Sequence, residues 1–335
     1  MEDILMEEDF EFERGLLSEV NSEVDIDDIW PKDHDGLGNQ ERGATPKPVK
    51  IVNSKVLNYL GTVKESKTYN PKAWLLQSML NVLEYPLTAD GKFGQLTKQA
   101  VEKFQADNGL KVDGIVGPAS WTRIIYLGRN RISNSGISNQ DYENAAKDLG
   151  VEVEVVKAIK DVESGPAGSF LFSNHPTILF EGHVFWKLLD KCGGKPSQYS
   201  DSDILYPTWT KGHYKGDVAE HVRLQKARDI NIVAADASAS WGLFQIMGSN
   251  YKACGCGSVG EFVDRMRMSE SEQLNLFVEF IKYHNMQRYL KPGNIQWASF
   301  ALRYNGKDYK KNQYDTRLQE AYEKHTKESQ KQVTH

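Results

Sequence analysis

The sequence predicts a mainly α-helical chain, with a small three-helix unit ahead of a larger domain. Three observations predict it. Apolar residues recur at three- and four-residue spacing through Trp74, Leu75, Met79, Leu80 and Leu83 and again through Ala100, Val101 and Phe104. The turn Asp90-Gly-Lys-Phe-Gly94 returns twenty-three residues later as Asp113-Gly-Ile-Val-Gly117, which is an internal repeat. Ser138 and Gly150 then bracket Asn139–Leu149 as a helix with recognisable ends.

Length and composition set the frame. A chain of 335 residues accommodates two domains and extensions, and 39% hydrophobic with 26% charged residues is the balance of an ordinary globular protein. No run of about 18 apolar residues occurs, so no membrane span is expected. The start, Met1-Glu-Asp-Ile-Leu5, has neither a basic region nor an apolar core, so no secretory signal is expected. Cys192, Cys254 and Cys256 are too few and odd in number for a disulfide framework, which fits a reducing compartment. Cys254-Gly-Cys256 lacks further ligands at zinc spacing, and His175, His183, His213 and His221 scatter, so no metal or cofactor is expected. Residues 1–35 carry a net charge of −12, leaving +7 on the remainder. A mildly basic body suits an anionic envelope, and without a dense Lys/Arg stripe no nucleic-acid partner is expected.

The elements follow in order. Residues 1–50, acidic and then rich in Gly and Pro, bury too little apolar surface to fold and read as disordered. Phe10, Phe12, Leu16, Leu17 and Val20 offer at most a short partner-binding helix there. Residues 51–128 form the three-helix unit. Asp90-Gly91 and Asp113-Gly114 supply tight turns, and Thr97 and Ser120, three residues past each turn, are read as caps of the following helices. Residues 129–138 are a polar, glycine-bounded linker. The larger domain spans 139–325, with a polar tail at 326–335. Val151–Val155 alternates like a strand, but the helical spacing from Val155 onward favours a helix through Glu163.

That helix carries the residue around which the larger domain is organised. Val155, Ile159 and Val162 share a face that Glu163 extends, and Gly165 is expected to stop the helix. A carboxyl set against apolar neighbours at the negative end of a helix dipole resists ionisation. An acid still protonated near neutral pH is what breaking a glycosidic bond requires. A structural glutamate at a frayed helix end is the plain alternative. Four further segments join it: Ile178–Trp186, apolar except for Glu181 and His183; Ser202–Trp209, with Tyr206 and reaching His213 and Tyr214; Ser238–Gly248, with Ser240, Trp241 and Gln245; and Tyr304-Asn305-Gly306. Gln offers a donor and an acceptor suited to sugar hydroxyls and N-acetyl groups. Aromatics in these segments suit a saccharide groove and equally a plain core.

Two resemblances follow from these residues. The doubled D-G-x-x-G with its intervening helix resembles the type 1 peptidoglycan-binding domain. This implies a three-helix module that holds an enzyme on the wall, with Asp90, Gly91, Asp113 and Gly114 its signature positions. The order Glu-Ser-Gly, Gly-Leu-Phe-Gln-Ile-Met, Tyr-Asn-Gly resembles lytic transglycosylases and goose-type lysozymes, and residues 139–325 more closely resemble the N-acetylmuramidase domain of modular phage endolysins. The resemblance implies an α-rich lysozyme-like fold and an enzyme of bacterial peptidoglycan, with Glu163 as catalytic acid. Glu181 is the candidate second carboxylate, ahead of Asp201, Asp203 and Asp236. Ser240, Trp241, Gln245, Tyr304, Asn305, His183 and Tyr206 are expected to line the substrate groove. It also implies residence in the host bacterial cytoplasm, release through a separate holin-type membrane-permeabilising partner, and action on the periplasmic wall. A lytic transglycosylase making anhydro sugars, and a non-catalytic envelope-binding or virion protein, remain alternatives.

Overall fold

The computed structural model describes residues 60–132, 136–164 and 168–333. The acidic extension at 1–50 and Gly165 lie outside the described residues. The chain divides into two compact units, one holding residues 60–132 with Leu171–Ser173, the other residues 136–170 and 174–333. Twelve α-helices and three small sheets occur among the described residues, so the mainly α class is observed.

The smaller unit is three helices: α1 (Pro71–Val82), α2 (Gln95–Asp107) and α3 (Pro118–Arg129). Asn70 caps α1 by accepting from the Lys72 amide, and Pro71 needs no hydrogen bond at the first helical position. Leu75, Leu76, Met79, Leu80, Val101, Phe104, Trp121 and Ile124 form its core, while Ala100 is only half-buried. The third helix runs to Arg129, one residue into the expected linker.

The hydroxyls of Thr97 and Ser120 are not caps. The cap positions are Gly94 and Gly117, the closing glycines of each repeat, and neither hydroxyl bonds an end amide. Instead both hydroxyls are buried and accept from a glutamine amide: Gln77 Nε2 reaches Thr97 Oγ1 at 3.0 Å, and Gln105 Nε2 reaches Ser120 Oγ at 3.2 Å. Each glutamine also grips its turn. Gln77 Nε2 donates to Asp90 Oδ1 and the Lys92 carbonyl, and its Oε1 accepts from the Gly91 amide. Gln105 repeats this on Asp113, the Ile115 carbonyl and the Gly114 amide. Gly91 and Gly114 adopt positive φ, and a side chain at Gly91 would strike the Tyr69 ring. The Lys92 amide and Gln77 hold Asp90 below the usual carboxylate range, and the Ile115 amide and Gln105 do the same to Asp113.

The clamp gives a stability prediction. Gln105→Leu leaves two amides, a carbonyl and a hydroxyl without their buried partner, at about 1–3 kcal/mol per group before relaxation. Denaturant unfolding of the full chain should show a module transition weakened by roughly 3 kcal/mol or more; a loss below about 1 kcal/mol would remove the clamp's assigned importance.

In the larger unit, α4 (Asn139–Leu149) is built as its ends foretell. Ser138 and Asp141 form a reciprocal capping box, and Gly150 closes the helix at φ 61°. The following helix, α5 (Val153–Glu163), buries Val155, Val156, Ala158 and Ile159. Its regular bonding ends at Glu163 with Ser164 as cap, one residue before the expected glycine. A three-stranded antiparallel sheet follows: β1 (Ile178–Phe180), β2 (Ala239–Trp241) and β3 (Ile246–Met247), with Leu179 opposite Ser240 and Ser240 opposite Met247. Between β1 and β2 lie α6 (Gly182–Lys191), α7 (Val218–Arg228) and α8 (Ile232–Ala237). After the sheet come α9 (Val259–Met266), α10 (Glu270–Tyr283), α11 (Trp297–Asn305) and the twenty-residue α12 (Tyr314–Val333). No described helix is long and apolar enough to cross a membrane.

Candidate active site

Glu163 is the last residue of α5, and it is half-buried. Its Oε1 accepts a hydrogen bond from the hydroxyl of Tyr314, the first residue of α12 and itself buried. Arg317 Nη2, one turn further on, donates to the Val162 carbonyl at 3.2 Å. The helix bearing Glu163 is further tied to α12 by Tyr322 on Glu152, Ser329 on Glu154 and His325 on Asp161. The acid therefore sits between an apolar helix face and a tyrosine donor, a more polar setting than the sequence alone suggests.

Behind it, the Tyr-Asn-Gly and Gly-Leu-Phe-Gln motifs meet. The Tyr304 ring lies nearly parallel to that of Tyr314 with centroids 6.4 Å apart, and its hydroxyl donates to the Phe244 carbonyl at 3.2 Å. Tyr304 is wholly buried, so it stacks behind the Glu163–Tyr314 pair and presents no surface to solvent. Asn305 closes α11 and is half-buried before Gly306, whose φ is 75°. Gln245 takes the rare φ of 46° in the turn between β2 and β3. Its Oε1 accepts from Ser240 Oγ at 2.8 Å, and its Nε2 donates to the Gly242 carbonyl at 2.7 Å. Ser240 and Trp241 are buried strand residues, and the Trp241 indole donates to the Asp236 carbonyl. These residues build the turn; among them Gln245, half-buried, retains solvent exposure.

The second cluster surrounds Glu181, which joins β1 to α6. The residue is 2% exposed, with its Oε2 accepting from the Tyr214 hydroxyl at 2.7 Å and lying 3.3 Å from His183 Nδ1. Tyr214 accepts in turn from the Trp209 indole at 3.0 Å. Burial and the adjoining Glu181 push the Tyr214 phenol well above its usual range, so it remains a donor at every working pH. The Tyr206 hydroxyl accepts from the Gly182 amide, and its ring stacks on His213 at 3.7 Å. A Cβ at position 182 would lie 2.4 Å from that ring, which is why glycine stands there. The segment 202–214 thus wraps Glu181.

Two anchors were not read from the sequence. Glu220 and Arg223 on α7 form a buried ion pair at 2.7 Å. Glu220 also accepts from the amides of Phe180, Lys215 and Gly216, and Arg223 donates to the carbonyls of Phe180 and Asp203. The pair pins the end of β1, next to Glu181, to the loop carrying Tyr214. Gln273 on α10 is the second, accepting from the Leu243 amide and donating to the Met266 carbonyl. Asp201 and Asp203 are paired with Lys226 and Lys215, and Asp236 with Arg228 at 2.6 Å. Burial raises the Asp236 carboxyl against the opposing pull of Arg228. Among the described residues no cluster of three or more His, Cys, Asp or Glu side chains is placed to hold a metal ion.

Residues 152–326, just over half of the chain, match the family model for N-acetylmuramidase. The chain belongs to the N-acetylmuramidase family. The match begins at the cap of α5 and ends within α12, so both helices that hold Glu163 and Tyr314 fall inside it. In this muramidase-family chain, residues 73–124 match the family model described as a putative peptidoglycan binding domain, a span that holds both glutamine clamps and most of the three helices. The crystal structure of a Burkholderia AP3 phage endolysin is similar at 35% identity and a TM-score of 0.53, over 80% of this chain and 99% of that one. A zinc D-Ala-D-Ala carboxypeptidase of Streptomyces albus G is 45% identical over 56 residues, and an uncharacterised protein of Kitasatospora aureofaciens is 57% identical over 37. The chain spans only 22% and 31% of those two relatives' lengths.

Proposed function

We propose that this muramidase-family chain is a bacteriolytic endolysin. It hydrolyses the β-1,4 bond between N-acetylmuramic acid and N-acetylglucosamine in bacterial peptidoglycan, and the three-helix module holds it on the wall. The observation that carries the reading is Glu163, half-buried at the end of α5 and oriented by Tyr314 within the family-matched segment. Glu163 gives its proton to the bridging oxygen as the bond breaks, and an oxocarbenium-like sugar forms. Water then captures that sugar. The near-complete burial of Glu181 and its bond to Tyr214 support a role as fixed negative charge over that of a base handling water. The proposal extends to the domains: a module in residues 51–128, a linker at 129–138 and a catalytic domain at 139–325. Gln245 and Asn305 are the half-buried members of the expected groove, and Ser240, Trp241, His183, Tyr206 and Tyr304 hold its walls in place. Accumulation in the host cytoplasm and release by a holin-type partner complete the reading.

The same burial favours one second reading. Without an accessible second carboxylate, the sugar's own 6-hydroxyl can capture the cation, which is the lytic transglycosylase outcome. Both readings predict cleaved glycan. Incubation of purified peptidoglycan with the chain should clear the suspension, releasing soluble glycan fragments with no rise in free amino groups; a rise in free amines without sugar-bond cleavage would contradict both.

Tyr314→Phe separates orientation from mere packing. A donor to a carboxylate favours its ionised form, so losing it favours the protonated acid. The basic limb of the rate–pH profile should move to higher pH while the maximal rate falls about tenfold or more. An unmoved limb would reduce Tyr314 to a packing residue.

A further inference from the structure

The two halves of the small unit use one clamp but differ in one respect. Gln77 lies thirteen residues before the aspartate it grips, whereas Gln105 lies eight before its own. The first repeat is therefore five residues longer between clamp and turn, and the additional length is the loop around Tyr85, Pro86, Leu87 and Thr88. That loop forms one wall of a cleft of about 840 Å³, whose other wall is the first turns of α2 with Leu96, Ala100 and Lys103. The clamp operates without such a loop in the second repeat, so the fold itself does not require the cleft. The loop is nonetheless fixed. Asn81 bonds both the amide and the carbonyl of Leu87, and the Tyr85 hydroxyl donates to Asp107 Oδ2 at 2.8 Å.

The cleft also holds an exposed apolar side chain. Leu96 is 74% exposed at the mouth of the cavity, where an apolar group seated in the cleft would shield it from water. The corresponding position of the second repeat, counted from the closing glycine, is Ala119. A fixed loop, a cavity and an apolar residue thus coincide in one repeat.

We propose that this cleft is the wall-binding subsite and that its occupant is the peptide stem of peptidoglycan; the proposal rests on the module's reading as a wall anchor. The lining favours peptide over glycan. Sugar rings are held on open aromatic faces, and the aromatic ring here, Tyr85, is engaged in a T-shaped contact with Phe104 and has the Lys103 ammonium 5.7 Å over its ring. Pro86, Leu87, Leu96 and Ala100 match the methyl groups of alanyl residues. Lys92, on the same rim, complements a stem carboxylate, whereas Lys103 is paired with Asp107 and Glu84 with Arg131.

The test is sedimentation of the full chain carrying Glu163→Gln with purified sacculi on ice, with turbidity followed in parallel to show that the wall stays intact. Leu96→Asp, at an exposed helix-start position that tolerates an acid, should lower retention about tenfold, the fold-change from losing one leucine-sized contact. Ala119→Asp should leave it unchanged. Amidase digestion of the same sacculi yields stem peptides and peptide-free glycan, and the peptides alone should compete. Failure of the parent chain to sediment would overturn the anchor reading itself. Sedimentation of Leu96→Asp equal to the parent, or equal loss in Ala119→Asp, would overturn the cleft while leaving the anchor standing. Competition by peptide-free glycan would overturn the occupant.

Discussion

Glu163→Gln should abolish lysis while leaving the chain folded and bound to the wall. The change is close to isosteric and keeps an acceptor for the Tyr314 hydroxyl, so α5 and α12 stay joined. It removes the proton that the departing sugar oxygen needs. General acids contribute about 10²–10⁴-fold to such steps, so clearing of a sacculus suspension should slow by at least about a hundredfold. Sedimentation with sacculi should be unaltered, because the anchor lies in the other unit. Lysis at an undiminished rate would show that the proton comes from another group.

The largest effect on stability is expected at the pair beneath Glu181. Arg223→Leu leaves Glu220, wholly buried, as an anion with its countercharge gone, and strips two carbonyls of their donors. Breaking a buried pair from one side costs about 3–5 kcal/mol, a large part of the roughly 5–15 kcal/mol that holds a domain folded. Denaturant unfolding should show this loss in the larger unit, with lysis failing at temperatures the parent tolerates. Replacing both partners, as Glu220→Gln with Arg223→Met, should recover part of it, since no uncompensated charge is then left. A single variant as stable as the parent would mean that the pair does not hold the Glu181 loop.

Sequence reading succeeded where the determinants are local. The ends of α4 follow from Ser138 and Gly150, because a capping box and a left-handed closing residue are decided within a few positions. The helix through Glu163 also follows, since Val155 and Ile159 outweigh the short alternation before them. It failed where one residue type serves two purposes. Thr97 and Ser120 stand where a capping hydroxyl might be sought, yet their partners are glutamines twenty and fifteen residues earlier. Tyr314 is 151 residues from Glu163, and no local pattern marks it. Glu220 and Arg223 resemble an ordinary surface pair on a helix, and only the packing around α7 shows them to be buried. Trp241 and Tyr304 show the limit for aromatics: both belong to motifs of the site, and both are core. The Tyr-Asn-Gly and Gly-Leu-Phe-Gln segments do meet, but which side chains face solvent is a tertiary property.

If Glu163 drives hydrolysis of the muramyl bond, the sugar ends of the released fragments report it most directly. Soluble products from purified peptidoglycan, identified by mass spectrometry, should end in reducing N-acetylmuramic acid with the parent chain and should be absent with Glu163→Gln. Ends of 1,6-anhydro-N-acetylmuramic acid, reducing N-acetylglucosamine, or the same products from both chains would contradict it.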